Sequence, residues 1–600
     1  MDPAQRKRLH DDLKGIIRGE LLFDELSRAL YRTDASIFEI EPSGVVVPLD
    51  AEDLSALVHY AGEHQVPLIP RGAGTNRNGA ALGDGLVVDL SVHFRQIRAI
   101  NADSVEVEAG VPVQTLQRLL AEQGRRLAWD DDHLEGTVGG LIATAPSGVR
   151  STSLGTIREQ IRALEVVLDS GEQARVEPTA KWPLADSGPS RLQDIVASTR
   201  TLLTQYEELI RSSPRSGLQD HCGYWLRDVQ VGNRLNLTQL LAGSEGTLAL
   251  VTGATLTTTP APAERAVAML AFARMESALR AGQMAARTGP TACELLERRL
   301  LRLARREPSQ AELVPEGAEA VLLVEYESAE PLEARTLAEL LVHQVYQRDR
   351  LAIHGHATAD EAECRLLWQL RQAAFPGLST RGATLQPVPL MDDVAVPPDR
   401  LIDYLPRLQD ILRQQETPAT FLLHMQSGRV EMFPFVDLQH SRGVDRLWTL
   451  ADEICSLVLE LGGTISAGRG TGLAYMPWTG RQVGPLAAVF REVKGIFDPR
   501  YLFNPGKIVA GPDTPVTWPL RRRSGGSEPR PLRLPQKELH WTTTEPVQES
   551  LACHGCGACR TEAASQRMCP IFRATHAEAA SPRAKANLMR HLLEAGSDPS

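Results

Sequence analysis

The sequence lacks any run of apolar residues long enough to cross a bilayer, which takes ~20 residues as a helix. No apolar stretch follows the charged N-terminus, so we expect no secretory signal either. We therefore expect no transmembrane segment and a cytoplasmic protein, with peripheral attachment to the inner face of the membrane left open. Positive charge is not in excess either, because the net charge is −11 and basic residues are scattered among acidic ones. This distribution argues against nucleic acid as a partner.

The order of apolar runs and turns predicts an α/β organisation with more than one domain. A chain of 600 residues exceeds the size at which a single core stops growing. After a charged, helical arm over residues 1–40, short apolar runs (VVVPLD, VPLIP, LVVDL, VEVEAG) alternate with helical stretches at 51–64 and at Val113–Gln123, and IRALEVVLDSGE reads as a strand and turn. A second domain is expected to start near Pro260, and residues 511–549, rich in Pro, Gly, Arg and Ser, read as a linker.

The eight cysteines fall into two groups. Cys222, Cys293, Cys364 and Cys455 stand alone, and we expect them to be small buried apolar side chains. The other four are close together near the C-terminus and require a separate explanation.

Three glycine-rich segments lie between apolar runs. They start at Pro70, Gly136 and Gly243, and none matches a P-loop or G-x-G-x-x-G pattern. One such segment alone is typical of a tight turn. Three together favour backbone N–H groups that approach an anion closely, because glycine carries no Cβ atom.

These segments carry a family resemblance. VVVPLDAEDLSALVHYAGEHQVPLIPRGAGTNRNG, GTVGGLIATAPSG, STSLGTIREQIRALEVVLDSGE and LLAGSEGTLALVTGATL occur in the order found in FAD-binding domains of the vanillyl-alcohol oxidase type, over residues 41–258. The resemblance implies an α+β fold with a two-subdomain FAD-binding domain (PCMH type) at 41–260 and an α+β cap domain at 261–510. It also implies that FAD contacts Pro70, Arg71, Gly72, Ala73, Gly74, Thr75, Asn76, Gly136, Thr137, Gly139, Gly140, Ala143, Ser147, Gly148, Glu245, Gly246, Val251, Asn504 and Lys507. In the family, the pyrophosphate lies against the first two segments.

The second domain, closing with FDPRYLFNPGKIV, resembles the cap of the D-2-hydroxy-acid dehydrogenase branch, whose members oxidise D-lactate, D-2-hydroxyglutarate or glycolate. The resemblance implies that Arg371, in LLWQLRQAAF, grips a substrate carboxylate. A guanidinium suits this task because it donates two parallel hydrogen bonds.

The metal site found in many members of this branch is altered here. FLLHMQSGRVEMFP keeps His424 but has Glu431 where the second histidine belongs, and ISAGRGTGLAYMPW has Gly468 and Arg469 in place of a Glu-His pair. Since arginine cannot ligate a cation, we predict no bound zinc in this domain. A sharper hypothesis is that Arg469 replaces the metal as the positive charge facing the substrate, with Glu431 or His424 as base.

The clustered cysteines Cys553, Cys556, Cys559 and Cys569 form a C-x2-C-x2-C run with a trailing Cys-Pro. This spacing favours a [4Fe-4S] cluster over zinc, which prefers two separated C-x2-C pairs, and over disulfides. Residues 550–600 resemble a small helical ferredoxin-like segment. Either Cys569 completes a single cluster, or the chain is part of a longer protein with a second cluster; the helix-like end favours the latter.

Together these features predict an FAD-dependent dehydrogenase. It would oxidise a small anionic substrate, such as a D-2-hydroxy acid, and pass electrons through the cluster to a quinone, a cytochrome or a partner subunit. A homodimer is an open alternative for its assembly. The rival prediction is a non-catalytic electron-transfer or assembly subunit that binds FAD but whose substrate site has degenerated.

Overall fold

A computed structural model provides the fold of the chain. It describes residues 1–127, 134–178, 190–213, 219–306, 308–374, 385–438, 440–511, 518–521, 545–563, 566 and 568–595. Most of the linker predicted at 511–549 lies outside these residues. In the described part of the chain, every helix is too short or too polar to span a bilayer.

The N-terminal unit is built on a four-stranded sheet. Its elements are α1 (Pro3–Lys14), β1 (Glu20–Leu22), α2 (Glu25–Tyr31), β2 (Gly44–Val47), α3 (Ala51–His64), β3 (Leu68–Arg71) and β4 (Leu86–Asp89). The sheet order is β1-β2-β4-β3, with β2, β4 and β3 parallel. The arm expected to be helical therefore contains an edge strand as well, since β1 pairs antiparallel with β2. Helix α3, predicted over the same residues, is capped by the Asp50 side chain, which accepts from the Asp53 N–H.

A second sheet of six strands completes the predicted FAD-binding domain. Its order is β5-β6-β12-β8-β9, and β7 also pairs with β12. The elements are β5 (Ile97–Ile100), β6 (Ser104–Glu108), α4 (Val113–Glu122), β7 (Arg125–Leu127), α5 (Val138–Thr144), α6 (Ser151–Leu154), α7 (Ile157–Gln160), β8 (Ile161–Val167), β9 (Gln173–Val176), α8 (Arg191–Gln205), α9 (Glu207–Ser212), the hairpin β10 (Gln230–Val231) and β11 (Arg234–Leu235), α10 (Leu237–Leu241) and β12 (Leu250–Pro260). The strand predicted in IRALEVV is β8, and the predicted helix is α4, whose apolar residues Val113, Leu116 and Leu120 are buried.

The cap is an eight-stranded sheet with helices. Its elements are β13 (Glu264–Phe272), α11 (Met275–Ala286), β14 (Ala292–Glu297), α12 (Arg298–Ala304), α13 (Pro308–Ala311), β15 (Ala320–Ser328), α14 (Glu333–Val342), β16 (His354–Thr358), α15 (Glu361–Ala374), β17 (Gln386–Pro387), β18 (Val394–Ala395), α16 (Leu401–Gln414), β19 (Ala419–His424), β20 (Arg429–Val436), α17 (Ser441–Glu460), α18 (Met476–Val483) and α19 (Leu486–Phe497). The sheet order is β16-β13-β15-β14-β19-β20-β17, and β18 also pairs with β20.

The C-terminal segment returns to the N-terminal unit. It contains α20 (Glu545–Ala552), α21 (Pro570–Thr575) and α22 (Pro582–Ala595). Ala584 belongs to the same apolar cluster as Val45 and Val87 of β2 and β4. The mixed α+β fold expected from the sequence, with a helical C-terminal segment, is therefore confirmed.

The four isolated cysteines are buried, as predicted. Cys222, Cys293 and Cys455 lie in the apolar cluster that spans the second sheet and the cap, and Cys364 lies in a cluster on the cap. They act as small apolar side chains of the core.

Candidate functional site

The three glycine-rich segments of the sequence come together in space. A Cβ atom at Gly72 would collide with Oγ1 of Thr137, and one at Gly246 would collide with the ring of Pro70. Each segment thus approaches its neighbour at a distance that excludes a side chain. The convergence is what a shared cofactor site requires.

The loop Gly72–Asn76, which follows β3, offers unused hydrogen-bond donors. Within the described residues, no group accepts a hydrogen bond from the backbone N–H of Gly72, Ala73, Gly74, Thr75 or Asn76. Gly74 adopts φ +63°, a left-handed conformation that glycine tolerates. A buried or half-buried run of donors normally finds a partner, so this loop fits an anion such as the FAD diphosphate.

The second glycine-rich segment, which starts at Gly136, differs from the expectation of donors that face an anion. Its first backbone N–H groups donate hydrogen bonds within the protein. Thr137 caps α5, and the N–H groups of Val138, Gly139 and Gly140 donate to Val111 O, Ala109 O and Thr137 Oγ1. Gly136 precedes this cap, and the Gly148 N–H donates to Ser151 Oγ at 2.7 Å. The segment supports the first loop but presents fewer donors than its glycines indicate.

Arg71 also has a structural role. Its buried guanidinium donates to the carbonyls of Tyr31 at 3.2 Å and Thr33 at 2.9 Å. The side chain fixes the N-terminal arm beside the loop, and its guanidinium also lies against Gly74, where it leaves no room for a Cβ atom. Val251, another predicted contact, lies on β12 opposite Val166 of β8.

The closing NPGK motif joins the loop region to the third glycine segment. The Asn504 amide donates to Ala80 O at 2.8 Å and to Glu245 O at 2.7 Å, and the Lys507 ammonium donates to Leu82 O. Glu245 N–H in turn donates to Ala143 O at 2.7 Å. Burial lowers the pKa of Lys507 to about 7 and raises that of Glu245 to about 7. Neither group is locked into its charged form at neutral pH.

The four predicted catalytic residues are also brought together, in a buried cluster on the cap. Strands β14, β19 and β20 place Glu294 opposite His424, and His424 opposite Arg429. His424 Nδ1 lies 2.7 Å from Glu294 Oε1, and its Nε2 lies 3.3 Å from Glu431 Oε1. Arg371, on α15, donates from Nε to Glu294 at 3.0 Å. Its guanidinium is therefore engaged with a carboxylate of the protein.

Arg469, which stands in place of a histidine of the family pattern, faces two carboxylates. Its Nη2 donates to Glu431 and its Nη1 to Asp392, both at 3.0 Å. Arg429 donates to Asp393, to Glu431 at 2.8 Å and to Ser147 O at 2.7 Å, and thereby ties the cap to the predicted FAD-binding domain.

Sequence reasoning missed Arg77, Glu294, Asp392, Asp393 and Arg429. Arg77 lies 3.9 Å from both Asp392 Oδ2 and Glu431 Oε2, with 32% of its side chain exposed. Arg77 directly follows the glycine loop, and this position is the feature of the sequence that could have indicated its role in the site. The aspartate pair within the apolar run LMDDVAV was a second signal, because adjacent buried carboxylates need cations.

The charges of the cluster set the protonation of its members. Burial opposes ionisation of Glu431, but Arg469 and Arg429 outweigh it and hold its pKa well below the ordinary value. Burial also opposes protonation of His424, yet Glu294 and Glu431 raise its pKa. An imidazole between two carboxylates can donate from both nitrogens, which favours the imidazolium. The carboxylates thus favour the protonated form of His424, whereas the arginines hold Glu431 ionised.

Comparison with known proteins identifies the family. Residues 42–177 match a family described as "FAD binding domain", and residues 261–508 match "FAD linked oxidases, C-terminal domain". The chain belongs to the FAD-linked oxidase family. The second match coincides with the cap predicted at 261–510, and the first covers residues 42–177 of the FAD-binding domain predicted at 41–260.

Relatives of this FAD-linked oxidase include curated and solved proteins. It is 30% identical to D-2-hydroxyglutarate dehydrogenase of Pseudomonas putida, over 96% of this chain and 58% of that protein. It is 25% identical to glycolate oxidase subunit GlcD of Bacillus subtilis, over 82% of this chain and 95% of that protein. The solved 4-ethylphenol oxidase from Gulosibacter chungangensis shares the fold, with a TM-score of 0.60 at 14% identity, over 86% of this chain and 98% of that one. The chain spans about three fifths of the length of the D-2-hydroxyglutarate dehydrogenases it matches.

The cysteine segment of this FAD-linked oxidase packs against the glycine loop. Cys556 is exposed, and Cys553, Cys559 and Cys569 are half-buried. In the described ranges, no three His, Cys, Asp or Glu side chains are grouped as metal ligands. Burial raises the pKa of the Cys556 and Cys559 thiols. Four thiols at this spacing are nevertheless the donor set that iron-sulfur clusters use.

Proposed function

We propose that the chain is an FAD-dependent dehydrogenase that oxidises the CH–OH group of a small anionic substrate, a D-2-hydroxy acid. The observation that carries the proposal is the cluster in which His424 lies between Glu294 and Glu431, and four arginines lie within 4.0 Å of Glu431. The relatives named D-2-hydroxyglutarate dehydrogenase and D-lactate dehydrogenase support this substrate class.

The charge balance of the cluster supports an anionic ligand. Its described members include the guanidinium groups of Arg77, Arg371, Arg429 and Arg469, and the carboxylates of Glu294, Asp392, Asp393 and Glu431. These charges cancel, so the cluster does not repel an anion while His424 is neutral, the form that a base requires, and it becomes net positive once His424 takes the proton. We propose that the substrate carboxylate is held by Arg77, whose side chain is the most exposed of the four, with Arg371 or Arg469 as second contact.

His424 is the better supported of the two predicted bases. A group that accepts the hydroxyl proton needs a pKa near the working pH. Glu431 is held ionised by its arginines and is a weak base, whereas His424 has a raised pKa and a ring nitrogen shared with Glu431. Bound FAD would accept the two electrons of the substrate. Glu294 and Glu431 would stabilise His424 after it takes the proton.

We also propose that Cys553, Cys556, Cys559 and Cys569 hold a [4Fe-4S] cluster, which would carry single electrons to an acceptor other than oxygen, such as a quinone, a cytochrome or a partner subunit. The spacing of the thiols and the packing of this segment on the glycine loop support it. Iron and acid-labile sulfide analysis of anaerobically purified protein tests it. Protein with full FAD content but without iron and sulfide would refute it.

The second candidate is a non-catalytic electron-transfer or assembly subunit. One observation favours it: Arg371, Arg429 and Arg469 are each bonded to carboxylates of the chain itself. Anaerobic addition of D- and L-2-hydroxy acids to the purified protein separates the two candidates. Bleaching of the flavin absorbance by a D-acid supports the dehydrogenase. Bleaching by dithionite alone supports the second candidate.

A further inference from the structure

The carbonyl side of the glycine loop is held by two arginines of the C-terminal segment. Arg560 Nη1 donates to Ala73 O at 3.0 Å, and Arg583 Nη1 donates to Gly74 O at 3.4 Å. Gly557, with φ +82°, leaves no room for a Cβ atom, which would collide with Cγ2 of Thr75. The cysteine segment therefore lies directly behind the loop.

A buried carboxylate fixes the two arginines. Glu578 accepts from Arg583 at 2.6 and 2.8 Å and lies 3.4 Å from Arg560. Burial opposes ionisation of Glu578, but Arg583 and Arg560 hold its pKa at about 2. Arg560 also donates to Ser91 Oγ at 2.9 Å. Both guanidinium groups are thus oriented by several contacts before they reach the loop.

The peptide groups that accept these hydrogen bonds also supply the unused donors. In a trans peptide the C=O and N–H groups point in opposite directions. The carbonyl of Ala73 belongs to the same peptide unit as the N–H of Gly74, and the carbonyl of Gly74 to that of Thr75. A cation at the carbonyl polarises the peptide unit, strengthens its N–H as a donor and fixes its direction.

We infer that the C-terminal segment is a structural part of the flavin diphosphate site, and that Arg560 and Arg583 are positioning residues that orient the N–H groups of Gly74 and Thr75. FAD affinity should therefore depend on this segment even where no cluster is bound. The inference rests on the placement of the diphosphate at Gly72–Asn76 and not on dehydrogenase activity.

The first test is the dissociation constant for FAD, measured by flavin fluorescence on the full chain after removal of its flavin. Arg560→Gln should raise the dissociation constant about 10-fold or more, because a charge-assisted hydrogen bond behind the diphosphate is lost. Arg573→Gln is the matched control, since the Arg573 guanidinium donates only to Ala563 O and Gln566 O of its own segment among its described contacts. Equal dissociation constants for wild type and Arg560→Gln, or equal losses in both variants, would overturn the inference.

A second series of variants changes the contact between Gly557 and Thr75 without removing a charge. Gly557→Ala should weaken FAD binding by pushing Thr75 out of place. Thr75→Ser removes the methyl group that the new Cβ atom meets, so the double variant Gly557→Ala/Thr75→Ser should regain part of the affinity, while the strain of alanine at φ +82° remains. Thr75→Ser alone is its reference. Wild-type affinity for FAD in Gly557→Ala would refute the inference. Wild-type protein that binds no FAD would remove its basis, whereas wild-type protein that binds FAD but oxidises no acid would affect only the proposed function.

Discussion

Arg77→Gln tests the proposed anion site most directly, because Arg77 joins the charged cluster through an accessible side chain. The guanidinium lies 3.9 Å from Asp392 and from Glu431, and about a third of the side chain is exposed. Glutamine keeps most of the side chain volume, so the substitution leaves no large cavity. We therefore expect a folded protein with a normal FAD content.

The expected loss of substrate affinity follows from the charges. Without Arg77, the described cluster has three guanidinium groups against four carboxylates, so it repels an anion unless His424 is protonated. Two charges 4 Å apart interact by about 4 kcal/mol at an effective dielectric constant of ~20, and exposure of Arg77 lowers this. A hydrogen bond to a charged group contributes about 1.5–3 kcal/mol, so KM should rise about 10- to 100-fold. We expect a much smaller change in kcat.

The assay is the anaerobic reduction of the bound flavin by a D-2-hydroxy acid at increasing concentration. Arg98→Gln is the control, because Arg98 lies on β5, is 39% exposed and pairs with Glu108 and Glu165, away from the cluster. Its KM should match that of wild type. The reasoning is refuted if Arg77→Gln also keeps the wild-type KM, or if kcat falls and KM does not change.

Three further predictions concern buried groups. Glu431→Gln should lower the free energy of unfolding of the cap by about 3–5 kcal/mol, because it removes a buried carboxylate shared by several arginines; a loss below about 1 kcal/mol in urea unfolding would contradict this. His424→Asn should slow flavin reduction by substrate about 10²- to 10⁴-fold while dithionite still reduces the flavin. In wild type the rate of flavin reduction by substrate should increase with pH through the raised pKa of His424, since only the neutral ring is a base. A His424→Asn variant that keeps this pH profile would exclude His424 as the base. The ionised Glu578 should stabilise the C-terminal segment above its ordinary pKa of 4.5, and this stabilisation should be lost as the pH falls toward about 2. Limited proteolysis across this range should show a pH-dependent release in wild type, whereas Glu578→Gln should be cleaved as readily at the higher pH as at the lower.

Local patterns predicted much of the fold. The helix at 51–64 and the helix starting at Val113 were readable because their apolar residues repeat with helical period, and strand β8 because its apolar run ends in a turn. Strand β1 was not readable, since its three residues lie within a charged stretch and depend on pairing with β2. Short edge strands are determined by their neighbours more than by their own sequence.

The candidate site was predicted only in part, for a similar reason. His424 was found because it keeps the family pattern, and Glu431 and Arg469 because they replace residues of that pattern. The structure brings the three within hydrogen-bonding distance of common partners. Arg77 and Asp392 were missed because nothing in their local sequence shows that they meet across two domains. The donors of Gly139 and Gly140 were overestimated, since a glycine-rich pattern does not show which N–H groups cap a helix.

The packing of the C-terminal helix α22 on the N-terminal helix α2 affects the order in which the chain folds and binds its flavin. Asn587 of α22 donates to Leu30 O of α2, and Arg583 reaches Gly74, so contacts across more than 500 residues complete this region. On the ribosome, the N-terminal sheet leaves the exit tunnel long before its final neighbours are synthesised. Contacts between residues so far apart in the sequence form late, and a folding intermediate that lacks them leaves this region incomplete. A nascent chain should therefore acquire its flavin only after residues 560–583 have emerged, and truncation before them should yield protein deficient in FAD.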